Sequence, residues 1–284
     1  MAKTEEAYFQ MRNLPFIPAF LREDEDVLLL KQPFTNQIQA NDIKGLVHCH
    51  SNWSDGNNTI EEMAKAAMER GMEYMAISDH SKTASYAQGL KEEQIKAQHQ
   101  YIDELNIKLT PFKIFKSIES DILGDGSLDY SDNILSTFDL VIASVHSNLK
   151  MTEEKAMKRL LAAIENPYTT ILGHLTGRLL LSRPGYPLDF KTIIDACAAN
   201  NVVIELNANP NRLDIDWREI KYALQKNVLI SVNPDAHSLE GIDDIKYGVF
   251  SAQKAMLPPE KNLSSFTLQQ FSHFIEESKS IKGL

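Results

Sequence analysis

Nine side chains in this 284-residue chain are of types that ligate transition metals, and their spacing brings them to equivalent places. Six of the eight histidines fall at the C-terminal ends of short β-rich runs: His48, His50, His80, His146, His174 and His237. Asp55, Glu119 and Asp235 fall in the same places. In His48-Cys49-His50 the histidines are two apart on an extended segment, so both face one side and Cys49 the other. Asp235-Ala236-His237 repeats that spacing, and Asp121 follows Glu119 at the same interval. Imidazole with carboxylate suits Zn, Mn or Fe better than Ca or Mg. Nine ligands exceed what one or two tetrahedral ions need, so three divalent ions are the economical reading. A single buried histidine is ordinarily a core residue bonded to backbone. Six at the same end of successive runs form a set. His99 and His273 lie in helical segments without such partners and read as packing or surface residues, and Cys49 and Cys197 read as core.

The runs that must position these groups are Leu46–His50, Tyr74–Ser78, Lys113–Asp121, Leu140–His146, Thr170–His174, Val202–Asn207 and Leu229–Asn233. Helical periodicity occupies 59–70, 91–108, 152–165, 189–200, 216–226, 239–256 and 266–278, while 121–132, rich in Gly and Asp, reads as a loop. Strands alternating with helices imply parallel pairing with right-handed crossovers. Seven such units over residues 45–257 predict an α/β barrel more than an open sheet. In such a barrel the strand C-termini and the loops after them carry the site. Residues 1–44 differ: Leu14-Pro15-Phe16-Ile17-Pro18, the acidic run Glu23–Asp26 and Pro33 predict an irregular lead-in with a helical turn near Leu21.

The composition, 43% hydrophobic and 24% charged, is that of a globular enzyme rather than a disordered or disulfide-dense chain. No apolar run approaches the roughly 18 residues of a membrane span, and no basic-then-apolar leader is evident. Two cysteines allow one bridge at most, which fits a reducing compartment, so a cytoplasmic location without membrane contact is expected. A formal net charge of −10 lacks the broad cationic field of non-specific nucleic-acid binders. An anionic substrate at one local cationic site stays open. Three divalent ions among three carboxylates and six neutral imidazoles would leave a charge of about +3, which makes a phosphate site inside an acidic protein.

His48-Cys49-His50, Trp53-Ser54-Asp55-Gly56, Ser78-Asp79-His80, Glu119, Ser144-Val145-His146 and Asp235-Ala236-His237 together resemble the PHP (polymerase and histidinol phosphatase) superfamily. Gly173-His174-Leu175-Thr176-Gly177-Arg178-Leu179-Leu180 is similar to the C-terminal PHP domain of bacterial X-family DNA polymerases, although Pro is usual where Leu175 stands. Glu205-Leu206-Asn207-Ala208-Asn209-Pro210 with Arg212-Leu213-Asp214 carries the same likeness, and Leu14–Pro18 resembles the polymerase-to-PHP linker. The resemblance implies a distorted (βα)7 TIM-like barrel, with a lead-in over 1–44 and a metal-dependent phosphoesterase domain over 45–284. It implies one ion on His48, His50, Glu119 and Asp235. A second would share Glu119 with His146 and His174, and a third would sit on Asp55, His80 and His237.

The activity expected is phosphoester hydrolysis by metal-bound hydroxide, attacking in line without a covalent enzyme intermediate. Arg178, Arg212 and Asp235 are the residues assigned to the chemistry, the arginines as bidentate phosphate clamps whose bland alternative is an ordinary ion pair. Arg183 and Lys82 are weaker candidates, and Asp79 reads either as a group orienting a ligand or as a turn or cap residue. The leading substrate is a DNA 3′ end, cleaved by a 3′–5′ exonuclease-type phosphodiesterase. The alternatives are a small-molecule phosphomonoesterase of histidinol-phosphatase type and a non-catalytic structural or partner-binding PHP module. The sequence leaves a polymerase partner open.

Overall fold

A computed structural model describes residues 2–23, 27 and 36–284. Glu23 apart, the acidic run Glu23–Asp26 lies outside the described residues, as does Pro33. Seven parallel strands stand in chain order: β1 (Gly45–Cys49), β2 (Tyr74–Ile77), β3 (Lys113–Asp121), β4 (Leu140–Ser144), β5 (Thr169–Leu172), β6 (Val203–Asn207) and β7 (Ile230–Asn233). The crossovers hold α2 (Ile60–Glu69), α3 (Glu92–Lys108), the single turn α4 (Asp132–Leu135), α5 (Glu153–Glu165), α6 (Phe190–Ala199) and α7 (Trp217–Gln225). After β7 come α8 (Ile245–Lys254) and α9 (Leu268–Lys282), while α1 (Glu5–Met11) precedes the barrel. The predicted helix over 239–256 divides into a 3₁₀ turn, Glu240–Asp244, and α8.

Local chemistry explains why the helices start where they do. Thr59 caps α2 by accepting from the Glu62 N–H at 3.2 Å, and the Glu62 carboxylate accepts from the Thr59 N–H at 2.8 Å. A reciprocal cap of this kind contributes on the order of 1 kcal/mol. Ile60, Met63, Ala64 and Ala67 then recur at helical spacing and are buried against the strands. Thr267 caps α9 in the same reciprocal way with Gln270, and Thr152 caps α5 by accepting from the Lys155 N–H.

Strand alternation sorts the core into an outer layer under the helices and an inner column. Leu46, Met75, Ile114, Val141 and Leu172 face outward, whereas Val47, Tyr74, Ala76, Phe115, Leu140, Ile142, Ile171 and Val203 fill the interior. At the N-terminal mouth, Phe271 and Ile275 of α9 plug this column. The Phe271 ring stacks on Tyr74 with centroids 4.4 Å apart and meets Phe115 edge-on at 4.9 Å.

The barrel is nearly closed: β1 and β7 share no continuous ladder. Near the C-terminal end the gap is bridged by the His50 N–H donating to the Ala236 carbonyl at 2.8 Å. Near the N-terminal end the segment 262–265 fills it. The Val232 N–H donates to Asn262 Oδ1 at 2.9 Å, Ser264 Oγ to the Val232 carbonyl at 2.9 Å, and the Lys44 N–H to the Ser264 carbonyl at 2.8 Å. The unpaired edge groups of both strands thereby gain partners. The lead-in forms α1 and a 3₁₀ turn at Ala19–Leu21, near the turn predicted at Leu21. Its Ile17, Leu21 and Val27 make a small separate cluster with Phe9, Phe20 and Met256.

Candidate metal centre

The inner column changes character at the C-terminal end without changing parity. On β2 the inward series Tyr74, Ala76, Ser78 leads to His80; on β3, Phe115 and Ser117 lead to Glu119; on β4, Leu140, Ile142 and Ser144 lead to His146. Strand β1 departs from this. Val47 already faces inward, so strict alternation would turn His48 out. A bulge between Val47 and Cys49, with His48 in the left-handed region at φ 64°, lets His48 follow Val47 inward and sends Cys49 to the outer core. Gly173 is required before His174, because a Cβ there would lie 2.3 Å from Ser144 Oγ.

Glu119 is the hub. Its Oε1 lies 2.9 Å from His174 Nε2, 3.2 Å from His146 Nε2 and 3.3 Å from His48 Nε2; its Oε2 lies 3.0 Å from His80 Nδ1 and 3.7 Å from His50 Nε2. Asp235 Oδ1 lies 3.0 Å from His50 Nε2 and 3.4 Å from His48 Nε2. Asp55 Oδ1 sits 3.4 Å from His237 Nε2 and 3.6 Å from His80 Nε2. The structure thus brings together all nine residues singled out by the sequence. Three groups could each hold an ion, with ligand atoms within 4.8 Å of one another: His50, Asp55, His80 and His237; His48, His50 and Asp235; and His80, Glu119 and His146. His50 and His80 each enter two groups, a sharing that spacing alone did not suggest.

The donor set fits divalent ions on a test independent of spacing. His48 Nε2, His50 Nδ1, His80 Nδ1, Asp55 Oδ1 and Glu119 Oε2 are buried without a hydrogen-bond partner of good geometry. Native proteins rarely leave buried polar atoms so, and lone pairs converging on one space are what a cation satisfies. The surrounding charges and burial shift the imidazoles in opposite directions. Burial opposes charge on His146, but Glu119 and Asp121 outweigh it and hold its pKa at about 10. Burial likewise opposes charge on His237, and Asp55 and Asp235 raise it to about 9. Burial, with His237 and His80 alongside, presses His50 down to about 3.

Two carboxylates not assigned from sequence orient the ligands. Glu205 is fully buried on β6, in parity with Val203. It accepts from His48 Nδ1 at 2.6 Å, the His174 N–H at 2.7 Å, Asn233 Nδ2 at 2.9 Å and Asn207 Nδ2 at 3.2 Å. Its hold on Nδ1 fixes the His48 tautomer and aims Nε2 into the centre. Asp121 does the same for His146 through Nδ1. The signal was available in sequence: a charged residue within the apolar run Val202–Leu206, in phase with the inward face. Asp79 accepts from the Ser51 N–H, Ser51 Oγ, Ser54 Oγ and Gln98 Nε2 between 2.6 and 2.7 Å, so it ties down the loop that carries Asp55.

The arginines divide. Arg212 Nε is 3.8 Å from Asp235 Oδ2, at the rim of the centre. Arg178, expected as a phosphate clamp, is occupied otherwise. Its guanidinium donates to the Arg212 carbonyl at 2.9 Å, to the Leu213 carbonyl, and to Asp216 at 3.0 Å. The ion-pair alternative describes it, and its effect is to brace the loop that presents Arg212. Arg183 is bound to the Gly177 carbonyl, and Lys82 pairs with Glu92 at 3.4 Å. His99 packs edge-on against Phe138 at 4.9 Å, and His273 is exposed.

Fold and site together define a TIM-like barrel with a cluster of imidazoles and carboxylates suited to metal ions at its strand C-termini. The PHP domain pattern matches residues 47–209, more than half of the chain, and the chain belongs to that family. It is 39% identical over 275 residues, 97% of its own length, to the DNA polymerase/3′-5′ exonuclease PolX of Bacillus subtilis, of which the match spans 48%. The chain therefore spans about half the length of that relative. It is 27% identical over 241 residues to a "Probable phosphatase" of Caldanaerobacter subterraneus, covering 80% of this chain and 88% of the other. Among solved structures, histidinol phosphate phosphatase from Lactococcus lactis, complexed with zinc, L-histidinol and phosphate, superposes with a TM-score of 0.51. At 17% identity, over 85% of this chain and 94% of the other, that likeness is one of fold. Among the described residues, no helix is long and apolar enough to cross a membrane.

Proposed function

We propose that the strand-end cluster is the active site of a metal-dependent phosphoesterase that removes nucleotides from the 3′ end of a nucleic acid. The observation that carries this reading is the convergence of six imidazoles and three carboxylates, with buried donor atoms lacking partners, at the C-terminal mouth of a PHP barrel. Bound divalent ions would supply Lewis-acid polarisation of the phosphoryl group and lower the pKa of a nearby water. His48, His50, Glu119 and Asp235 would hold one ion, His146 and His174 with Glu119 a second, and Asp55, His80 and His237 a third; the strand-end geometry supports this by grouping His48, His50 and Asp235, placing His146 with Glu119, and gathering Asp55, His80 and His237 with His50. Glu205 and Asp121 keep His48 and His146 in the tautomers that present Nε2. Arg212 steadies a phosphate oxygen beside Asp235, and Arg178 steadies Arg212. Cys49 is turned into the core and is no nucleophile, which supports direct in-line attack by water.

The choice of a 3′ end rests on the 39% identity to the Bacillus protein along nearly the whole of this chain. A second reading, a phosphomonoesterase of histidinol-phosphatase type, is favoured by the match to most of the length of a "Probable phosphatase" and by the net charge of −10. Protein loaded with Mn or Zn separates them when offered single-stranded DNA labelled at its 3′ end beside a panel of phosphomonoesters. Stepwise shortening of the DNA is expected. Turnover of monoesters with intact DNA replaces the first reading with the second, and no turnover of either removes both.

A further inference from the structure

Tyr86 has no part in the barrel, the core or the metal cluster, yet it stands beside the centre. Its side chain is 69% exposed. The ring centroid lies 6.2 Å from that of His80 and 6.5 Å from that of His146, inclined to them by 58° and 62°. It is carried on a single 3₁₀ turn, Ser85–Ala87, in the loop after β2. That loop is pinned on both sides of the ring. The Ser81 N–H donates to the Glu119 carbonyl at 3.0 Å and the Leu90 N–H to the His80 carbonyl at 2.8 Å. Thr83 donates through its N–H to Asp129 at 2.7 Å and through Oγ1 to Asp121 at 2.7 Å. Ala84, just before the turn, and Ala87, its last residue, are buried. The backbone thus anchors the loop from the ligand side while leaving the one large ring in solvent. An exposed aromatic held by a fixed loop at the mouth of a charged site is placed to meet a ligand rather than to stabilise the fold.

The surroundings indicate which ligand. Arg212 stands beside Asp235 as a cation for a phosphate oxygen. An exposed planar ring next to an anion-binding centre favours a substrate with a planar ring close to its phosphate. Base–aromatic stacking contributes broadly to affinity and tolerates any base, since every base presents a π-face.

We propose that Tyr86 is the platform of an aromatic subsite that holds a nucleobase adjoining the phosphate at the metal centre. The proposal rests on the phosphoesterase reading of this site and narrows its substrate class to nucleotidyl esters. Binding rather than turnover tests it. Mn-loaded protein is titrated with thymidine 5′-monophosphate and with deoxyribose 5-phosphate, which share the phosphate and sugar and differ in the base. The nucleotide is expected to bind about tenfold or more tightly than the sugar phosphate. Tyr86→Ala should erase the difference by weakening the nucleotide alone, and Tyr86→Phe should retain it. Equal binding of the two ligands by the unaltered protein, or a preference that survives in Tyr86→Ala, overturns the subsite. Loss of the preference in Tyr86→Phe assigns the contact to the hydroxyl and overturns the stacking role. Unchanged binding of the sugar phosphate in both variants shows that the centre itself is intact. Failure of the hydrolysis assay with the base preference present would sink the phosphoesterase reading and leave the nucleobase subsite standing.

Discussion

The two ends of the barrel interior are built by the same strands and obey opposite rules. At the N-terminal end Tyr74, Phe115, Leu140 and Val203 close on Phe271 and Ile275, and apolar surfaces meet in the interior. At the C-terminal end, two to six residues along the same inward faces, stand His80, Glu119, Ser144 and Glu205, with buried nitrogens and oxygens left without partners. The first end stabilises through area removed from water and close packing. The second end costs stability until its polar atoms find a ligand. A strand can serve both because its parity is fixed while the chemistry of successive inward positions is free.

Substitutions should separate the two ends. The largest stability effect is expected from Phe271→Ala, which empties the plug and should cost about 3–5 kcal/mol in urea unfolding. Metal stoichiometry in the folded fraction should stay as it was. A loss of metal binding in that fraction would show that the ends are coupled. At the other end, Asp235→Ala and His48→Ala remove ligands and should lower metal affinity by more than about a hundredfold, with activity falling in step. Elemental analysis finding full occupancy in either variant would remove that residue from the ligand set. Next in size, Glu205→Gln leaves the ligands in place but weakens the hold on His48 Nδ1. A loss of about 10- to 100-fold in Mn affinity is expected by titration, and unchanged affinity would reduce Glu205 to a brace for the backbone.

The smallest effect concerns acid, away from both ends. Burial, with Lys116 nearby, holds the His99 pKa down at about 4 from its ordinary 6.5. The unfolded chain therefore binds the proton first as pH falls. The stability tied to neutral His99 is complete above about 6.5 and is lost as pH drops through about 4. His99→Phe keeps a ring against Phe138 without a titrating nitrogen, so its Tm should fall less steeply across that window. An identical slope in both proteins would rule His99 out as a source of acid sensitivity.

How much was legible in sequence varied with the range of the interaction. The seven strands were readable because β-rich runs and helical periods alternate, and the nine candidate ligands because they recur at run ends. Boundaries shifted by a residue or two: β1 ends at Cys49 and β4 at Ser144, short of the predicted His50 and His146. Capping and ladder geometry, rather than composition, decide where pairing stops. Arg178 was misread because an arginine close to a ligand in sequence has no fixed direction. Its long side chain turned to the carbonyls of Arg212 and Leu213, which lie far away in the chain.

The sequence by itself determined the donor atoms, the parity that gathers most of them on one face and the parallel α/β order that brings the strand ends together. These follow from residue type and short-range periodicity. Only the tertiary structure decided the bulge that lets His48 follow Val47 inward, the junction of Asn262 and Ser264 that bridges β7 to β1, and the four donors converging on Glu205. Each depends on groups from distant segments whose partners exist only once the barrel has closed. No local pattern can encode a hydrogen bond whose other half arrives from elsewhere in the chain.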